Sequence, residues 1–96
     1  MSKEHSEDAQ VAELTKALGY PLRVRMLRVL GRRGAYCGDL VDLFGVSQST
    51  ISHHLKILKD AGLIVGEEQG TSTCYRVDGS RLENLRRELD DLLSEL

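Results

Sequence analysis

Apolar residues recur along this chain at helical spacing in separate stretches, each closed by a turn-forming residue. From Asp8 to Gly19, Val11, Leu14 and Leu18 fall on one face, which predicts a first amphipathic helix. Pro21 takes the first position of a second, where Leu22, Met26, Val29 and Leu30 form one stripe and Val24 and Leu27 another. This second helix is expected to be buried on much of its surface and to form the centre of the fold. GDLVDLFG reads as a short third helix ending at Gly45. Ser47 is a good N-cap for a fourth, in which Ile51, Leu55 and Leu58 repeat at i, i+4, i+7, and Gly62 follows its last turn.

Leu43 to Ile64 therefore reads as helix, glycine turn and helix with a divided surface. Opposite the apolar stripe, Ser49, Ser52, His53 and Lys56 recur at i, i+3, i+4, i+7. All four carry hydrogen-bond donors and none is acidic, which suits a DNA groove. Periodicity alone fits equally well an ordinary helical hairpin whose polar face meets water. The next stretch shifts the balance: residues 63–77 become short β-prone runs on either side of GEEQGTS, two strands and a turn. A hairpin directly after such a helix is a wing, and Ala35 to Cys37 is a candidate extra strand for its sheet.

From Ser47 to Arg76, SQSTISHHLKILKDAGLI followed by QGTSTCYRV resembles the ArsR/SmtB family of small bacterial winged-helix repressors, and the architecture is similar from Val11 to Val77. The resemblance implies a homodimer, joined through its first and last helices, that releases an operator when a metal ion or thiol-reactive signal is sensed. The expected fold is mainly α with a small β-hairpin: a winged helix-turn-helix of about five helices. Residues 1–7 are expected to be a flexible N-terminus and 8–96 one domain, with a C-terminal dimerisation helix over 79–96.

In that last segment Leu82, Leu85, Leu89, Leu92 and Leu96 are spaced 3, 4, 3, 4, the seam of a helix that packs on another helix. The cover is either the chain's own domain or a second copy. The resemblance favours a second copy, with Leu14 and Leu18 of the first helix joining the interface. Two-fold symmetry would hold two recognition helices about 34–36 Å apart and match an inverted-repeat operator.

Ninety-six residues with 41% hydrophobic content build one small core, which a second copy would help to stabilise. No apolar run is long enough for a membrane span, and MSKEHSEDAQ lacks the core of a signal peptide, so a cytoplasmic protein with no membrane partner is expected. The net charge of −2 is not that of a typical nucleic-acid binder, but its distribution is uneven. Residues 21–76 carry eight Lys and Arg against five Asp and Glu, a net of +3, while both ends are acidic. The stretch expected to face DNA is the basic one.

Ser49, Ser52 and His53 are the candidates for base edges or nearby phosphates, Lys56 for a phosphate, and Gln48 for either. Ser47 and Thr50 both cap the helix and lie where its N-terminus could hold a phosphate. His54, beside the Ile51/Leu55 stripe, reads as packed. Gln69, Gly70, Thr71 and Ser72 form a polar wing tip that approaches the minor groove or backbone, or simply meets water. With no lysine or arginine there, its electrostatic contribution is small.

The chain departs from the family's usual sensing sites. Cys37 stands alone where a CxC motif is common, and the last helix has no histidine. His53 and His54 project about 100° apart and cannot readily share one ion. Neither a metal nor another cofactor is expected. Cys37 and Cys74 remain candidate thiol sensors if AYC pairs with the second wing strand; otherwise they are a small buried residue and a surface thiol. No GxSxG, P-loop, HExxH or paired Cys/His arrangement supports an enzyme. The expected function is a sequence-specific DNA-binding transcriptional regulator acting as a dimeric repressor on an inverted-repeat operator, with a thiol-reactive or metalloid signal as the candidate for its release; the alternative is a winged protein-interaction module with no inducer.

Overall fold

In the computed structural model, which describes residues 3–96 with side chains from residue 7 onward, five helices and three short strands follow one another. They are α1 (Lys3–Ala17), α2 (Pro21–Arg32), β1 (Ala35–Tyr36), α3 (Cys37–Phe44), α4 (Gln48–Asp60), β2 (Ile64–Gln69), β3 (Ser72–Val77) and α5 (Gly79–Glu95). α1 starts at Lys3 rather than Asp8, so residues 3–7 of the expected flexible stretch are helical; the first two residues lie outside the described residues.

Local chemistry sets the helix limits. Tyr20 is extended (φ −140, ψ 127), as the residue before a proline prefers, and Pro21 opens α2. The Tyr36 backbone N–H donates to Asp39 Oδ2 at 3.0 Å and caps α3, which ends at Gly45. Ser47 Oγ accepts from the Thr50 backbone N–H at 3.2 Å, the expected N-cap of α4. At the far end, Gly62 N donates to Lys59 O (2.9 Å) and Leu63 N to Leu58 O (3.0 Å), a Schellman pair. That motif needs the left-handed backbone of Gly62, φ +79.

The core gathers one stripe from every helix: Leu14, Met26, Leu30, Leu40, Ile51, Leu55, Leu58 and Leu85, joined by Leu63 and Ile64. The sheet is antiparallel in the order β1-β3-β2, so AYC does add a strand, although Cys37 itself opens α3. β2 and β3 pair from Ile64↔Val77 to Gln69↔Ser72, so the loop is only Gly70 and Thr71. The turn is thus shorter than the GEEQGTS cluster, because Gly70 (φ +64) reverses the chain in two residues, with the positive φ at the first position that a II′ turn requires. Asp78 caps α5: its Oδ1 accepts from the Ser80 backbone N–H at 3.1 Å and the Ser80 hydroxyl at 2.9 Å.

The leucine seam of α5 divides along its length. Leu85 is buried (5% exposed) and Leu82 and Leu89 pack against the core, whereas Leu92, Leu93 and Leu96 are 46%, 65% and 91% exposed. Leu14 of α1 is buried, and Leu18, just past its end, is half-buried. Leu14 and Leu85 are therefore covered by their own chain. No helix of the described residues is long and apolar enough to cross a membrane.

Candidate nucleic-acid interface

α4 is a two-faced cylinder, and the division follows from its sequence. Ile51, His54, Leu55 and Leu58 are buried, while Gln48, Ser49, Ser52, His53, Lys56, Lys59 and Asp60 are exposed. Ser49, Ser52, His53 and Lys56 thus share an open face. Lys59 also belongs to it and was missed: the i, i+3, i+4, i+7 set starting from Ser49 does not reach it, although Ser52 to Lys59 is itself a spacing of seven.

Ser47 Oγ also lies 2.9 Å from Thr50 Oγ1 and 3.1 Å from Ser49 Oγ. The hydroxyls at the N-terminus of α4 therefore hold one another and the cap, with Ser47 and Ser49 exposed and Thr50 half-buried on the flank. Lys56 Nζ is paired with Asp60 Oδ2 at 2.9 Å, so the face does include a carboxylate one turn on. Both side chains are well exposed, and an i,i+4 pair of this kind contributes only about 0.3–0.5 kcal/mol. A phosphate could displace it at little cost.

The expected wing-tip residues Gln69, Thr71 and Ser72 are exposed around Gly70. Gln69 is tethered, because the Tyr36 hydroxyl donates to its Oε1. Behind the tip the wing carries Glu67 and Glu68, and Arg76 pairs across the strands with Glu67. This limb is more acidic than its tip suggests.

The two thiols are free and half-buried, and they meet different neighbours. Cys74 stands opposite Tyr36 in the sheet, but its sulfur lies over Gly34, 2.7 Å from where a Cβ on that glycine would be. Cys37 Sγ is 3.7 Å from Ser52 Oγ, on the flank of the exposed face of α4. No group of three or more His, Cys, Asp and Glu among the described residues could hold a metal ion.

His54 is packed, with 6% of its surface exposed. Its ring stacks on Tyr20 (centroids 4.9 Å apart) and its Nδ1 lies 3.0 Å from Arg23 Nη1. Burial, with Arg23 and His53 nearby, holds its pKa below the ordinary imidazole value. Arg25, Arg28, Arg32 and Arg33 of the same basic stretch stay exposed.

This architecture has known counterparts. Residues 20–65 match the family model described as bacterial regulatory protein, arsR family. An uncharacterized HTH-type transcriptional regulator of Methanocaldococcus jannaschii is 36% identical, covering 86% of this chain and 94% of its own length. The arsenical resistance operon repressor of Bacillus subtilis is 40% identical, covering 76% of this chain and 70% of that protein. Several further relatives are longer, the chain spanning 54% to 65% of their length. Among solved structures, a homodimeric winged helix-turn-helix DNA-binding domain from Mycobacterium bovis, described as a possible ArsR-family transcriptional regulator, superposes with a TM-score of 0.78 at 25% identity, covering 99% of this chain and 87% of that one.

Proposed function

Because the chain belongs to the arsR family of bacterial regulatory proteins and is a winged helix-turn-helix transcriptional regulator, we propose that it works as a homodimeric repressor that lays α4 in the major groove of an inverted-repeat operator. The observation that carries this reading is the open face of α4, where Ser49, Ser52, His53, Lys56 and Lys59 stand clear of the core on a capped helix. Ser52 and His53 read base edges, Lys56 and Lys59 hold phosphates, and Gln48, Ser49 and the Ser47/Thr50 cap sit where an N-terminus approaches the backbone. Gln69, Thr71 and Ser72 lie beside the duplex, held close by the Tyr36 tether rather than by charge.

Dimerisation is supported by the apolar end of α5. Leu92, Leu93 and Leu96 extend the apolar surface beyond what the chain's own core covers, and Val11, Ala12 and Leu92 floor a groove between α1 and α5 rimmed by Glu7, Asp8, Glu88, Asp91 and Glu95. A second copy packed there, with Leu18, Leu82 and Leu89 at its edge, completes the burial. The homodimeric M. bovis neighbour has the same fold. Release by a thiol-reactive signal is supported at Cys37 alone: an adduct on its sulfur would push against Ser52.

The test is fluorescence anisotropy with reduced protein, titrating a duplex from upstream of its own gene against an unrelated duplex at near-physiological salt. A specific regulator binds its own duplex at least about 10³-fold more tightly. Ser52→Ala with His53→Ala is expected to collapse that ratio while sedimentation still reports a dimer. Equal, weak and salt-sensitive binding to both duplexes by the unmodified protein counts against the reading and favours a protein-interaction module.

A further inference from the structure

One guanidinium connects three helices. Arg23, in the first turn of α2, donates through Nε to the Ala17 carbonyl at 2.6 Å and points Nη2 at the Lys16 carbonyl at 3.5 Å. Both carbonyls belong to the last turn of α1; that of Lys16 already accepts from the Gly19 N–H at 3.0 Å, so the Ala17 carbonyl is the one whose partner Arg23 supplies. Nη1 reaches His54 Nδ1 on α4 at 3.0 Å. Tyr20 closes the cluster, its ring stacked on His54 and 5.4 Å from the Arg23 guanidinium carbon.

Arginine only donates, so Nδ1 of His54 must accept and the ring is neutral with its proton on Nε2. His54 lies on the side of α4 away from Ser49 and Ser52, its ring 5.3 Å from that of His53, so the angle at which it is held sets the angle at which that face is presented. Building on the DNA-binding reading above, we infer that Arg23 is a positioning residue for recognition: through neutral His54 it fixes the rotation of α4 against the C-terminal end of α1. A shift of α1 at the subunit interface is thereby passed to α4 through one side chain.

The groups around His54 make this link sensitive to protonation. Arg23 and Arg25 face it from α2, Tyr20 from the α1–α2 connection and His53 from α4, while α3 and the turn after it contribute Phe44 and Val46. No carboxylate lies among these residues to receive a second ring proton. A protonated His54 loses its acceptor and faces Arg23 as a like charge, so the link holds above the ordinary imidazole range and fails as pH falls through and below it.

The experiment compares the unmodified protein with Arg23→Gln, Arg23→Lys and His54→Gln, using the upstream and unrelated duplexes from pH 7.5 to 5.5 and the imidazole ¹H–¹⁵N spectrum of each free protein. Arg23→Gln is expected to lower the specific-to-unrelated affinity ratio at least tenfold while the protein remains folded. Arg23→Lys, which keeps the charge but not the three-way fork, is expected to fall with it. His54→Gln retains an acceptor without a titrating ring and should flatten the acid limb of that ratio. The inference is overturned if folded Arg23→Gln discriminates as well as the unmodified protein, or if the spectrum places the His54 proton on Nδ1. If the unmodified protein discriminates no duplex, the DNA reading fails by itself. The link is then decided by the spectrum: an Nδ1 resonance that moves in Arg23→Gln upholds it, and one that does not overturns it.

Discussion

Ser47 is the residue on which the start of α4 depends, since its hydroxyl caps the Thr50 N–H and also touches the Thr50 and Ser49 side chains. Ser47→Ala is expected to cost about 1 kcal/mol, lowering the calorimetric midpoint by about 4–8 °C for a domain of this size. Asp78 has a comparable role at α5. The Ser80 N–H and hydroxyl, with a smaller contribution from Arg81, hold its carboxyl below the usual carboxylate range. Its stabilisation is therefore complete above the ordinary aspartate value and is lost as pH falls through the lower folded one. Melting curves from pH 5 to 2 should fall less steeply for Asp78→Asn than for the unmodified chain. Ser47, Gly45 and Gly62 are legible in the sequence because caps act within a few residues. The Arg23–His54 and Cys37–Ser52 contacts are not, because their members lie 31 and 15 positions apart and meet only through packing.

At the scale of elements, α5 shows how far periodicity reaches. A 3, 4, 3, 4 leucine spacing says that one face is apolar; it does not say what covers it. The cover changes along the helix, from the chain's own core at Leu85 to solvent at Leu92 and Leu96. Leu92→Asp is consequently a cleaner probe of the interface than Leu89→Asp, since Leu89 also packs against the core. Sedimentation should show Leu92→Asp as a folded monomer with greatly weakened operator binding, and a dimer of full affinity would remove α5 from the interface. β1 is only two residues long and reads weakly from its own sequence; its antiparallel pairing with Ala35↔Tyr75 and Tyr36↔Cys74 is what defines it. The helix-turn-helix was the most legible element, because its caps, turn glycine and apolar stripe all agree.

For the whole molecule, charge is distributed more finely than a basic middle between two acidic ends suggests. The basic middle includes an acidic wing, Glu67 and Glu68 against Arg76, and Glu67 is already paired. On the proposed reading, DNA affinity depends mainly on α4, with the wing near the duplex against mild repulsion. Glu68→Lys is expected to tighten binding to any duplex and to steepen the salt dependence by about one phosphate contact, read as the slope of log K against log salt. An unchanged slope would place the wing clear of the backbone.

The sheet order has a consequence for how the chain is made. β3 lies between β1 and β2 in space but follows both along the chain, and Cys74, the ladder partner of Tyr36, comes 38 positions later. A ribosome adding about 5–20 residues per second leaves β1 waiting roughly 2–8 s for its neighbour. α3 and α4 are made within that interval, and the segment that completes the sheet beside them is the second half of the wing. A nascent or clipped chain ending before Ser72 cannot complete the sheet that braces α4.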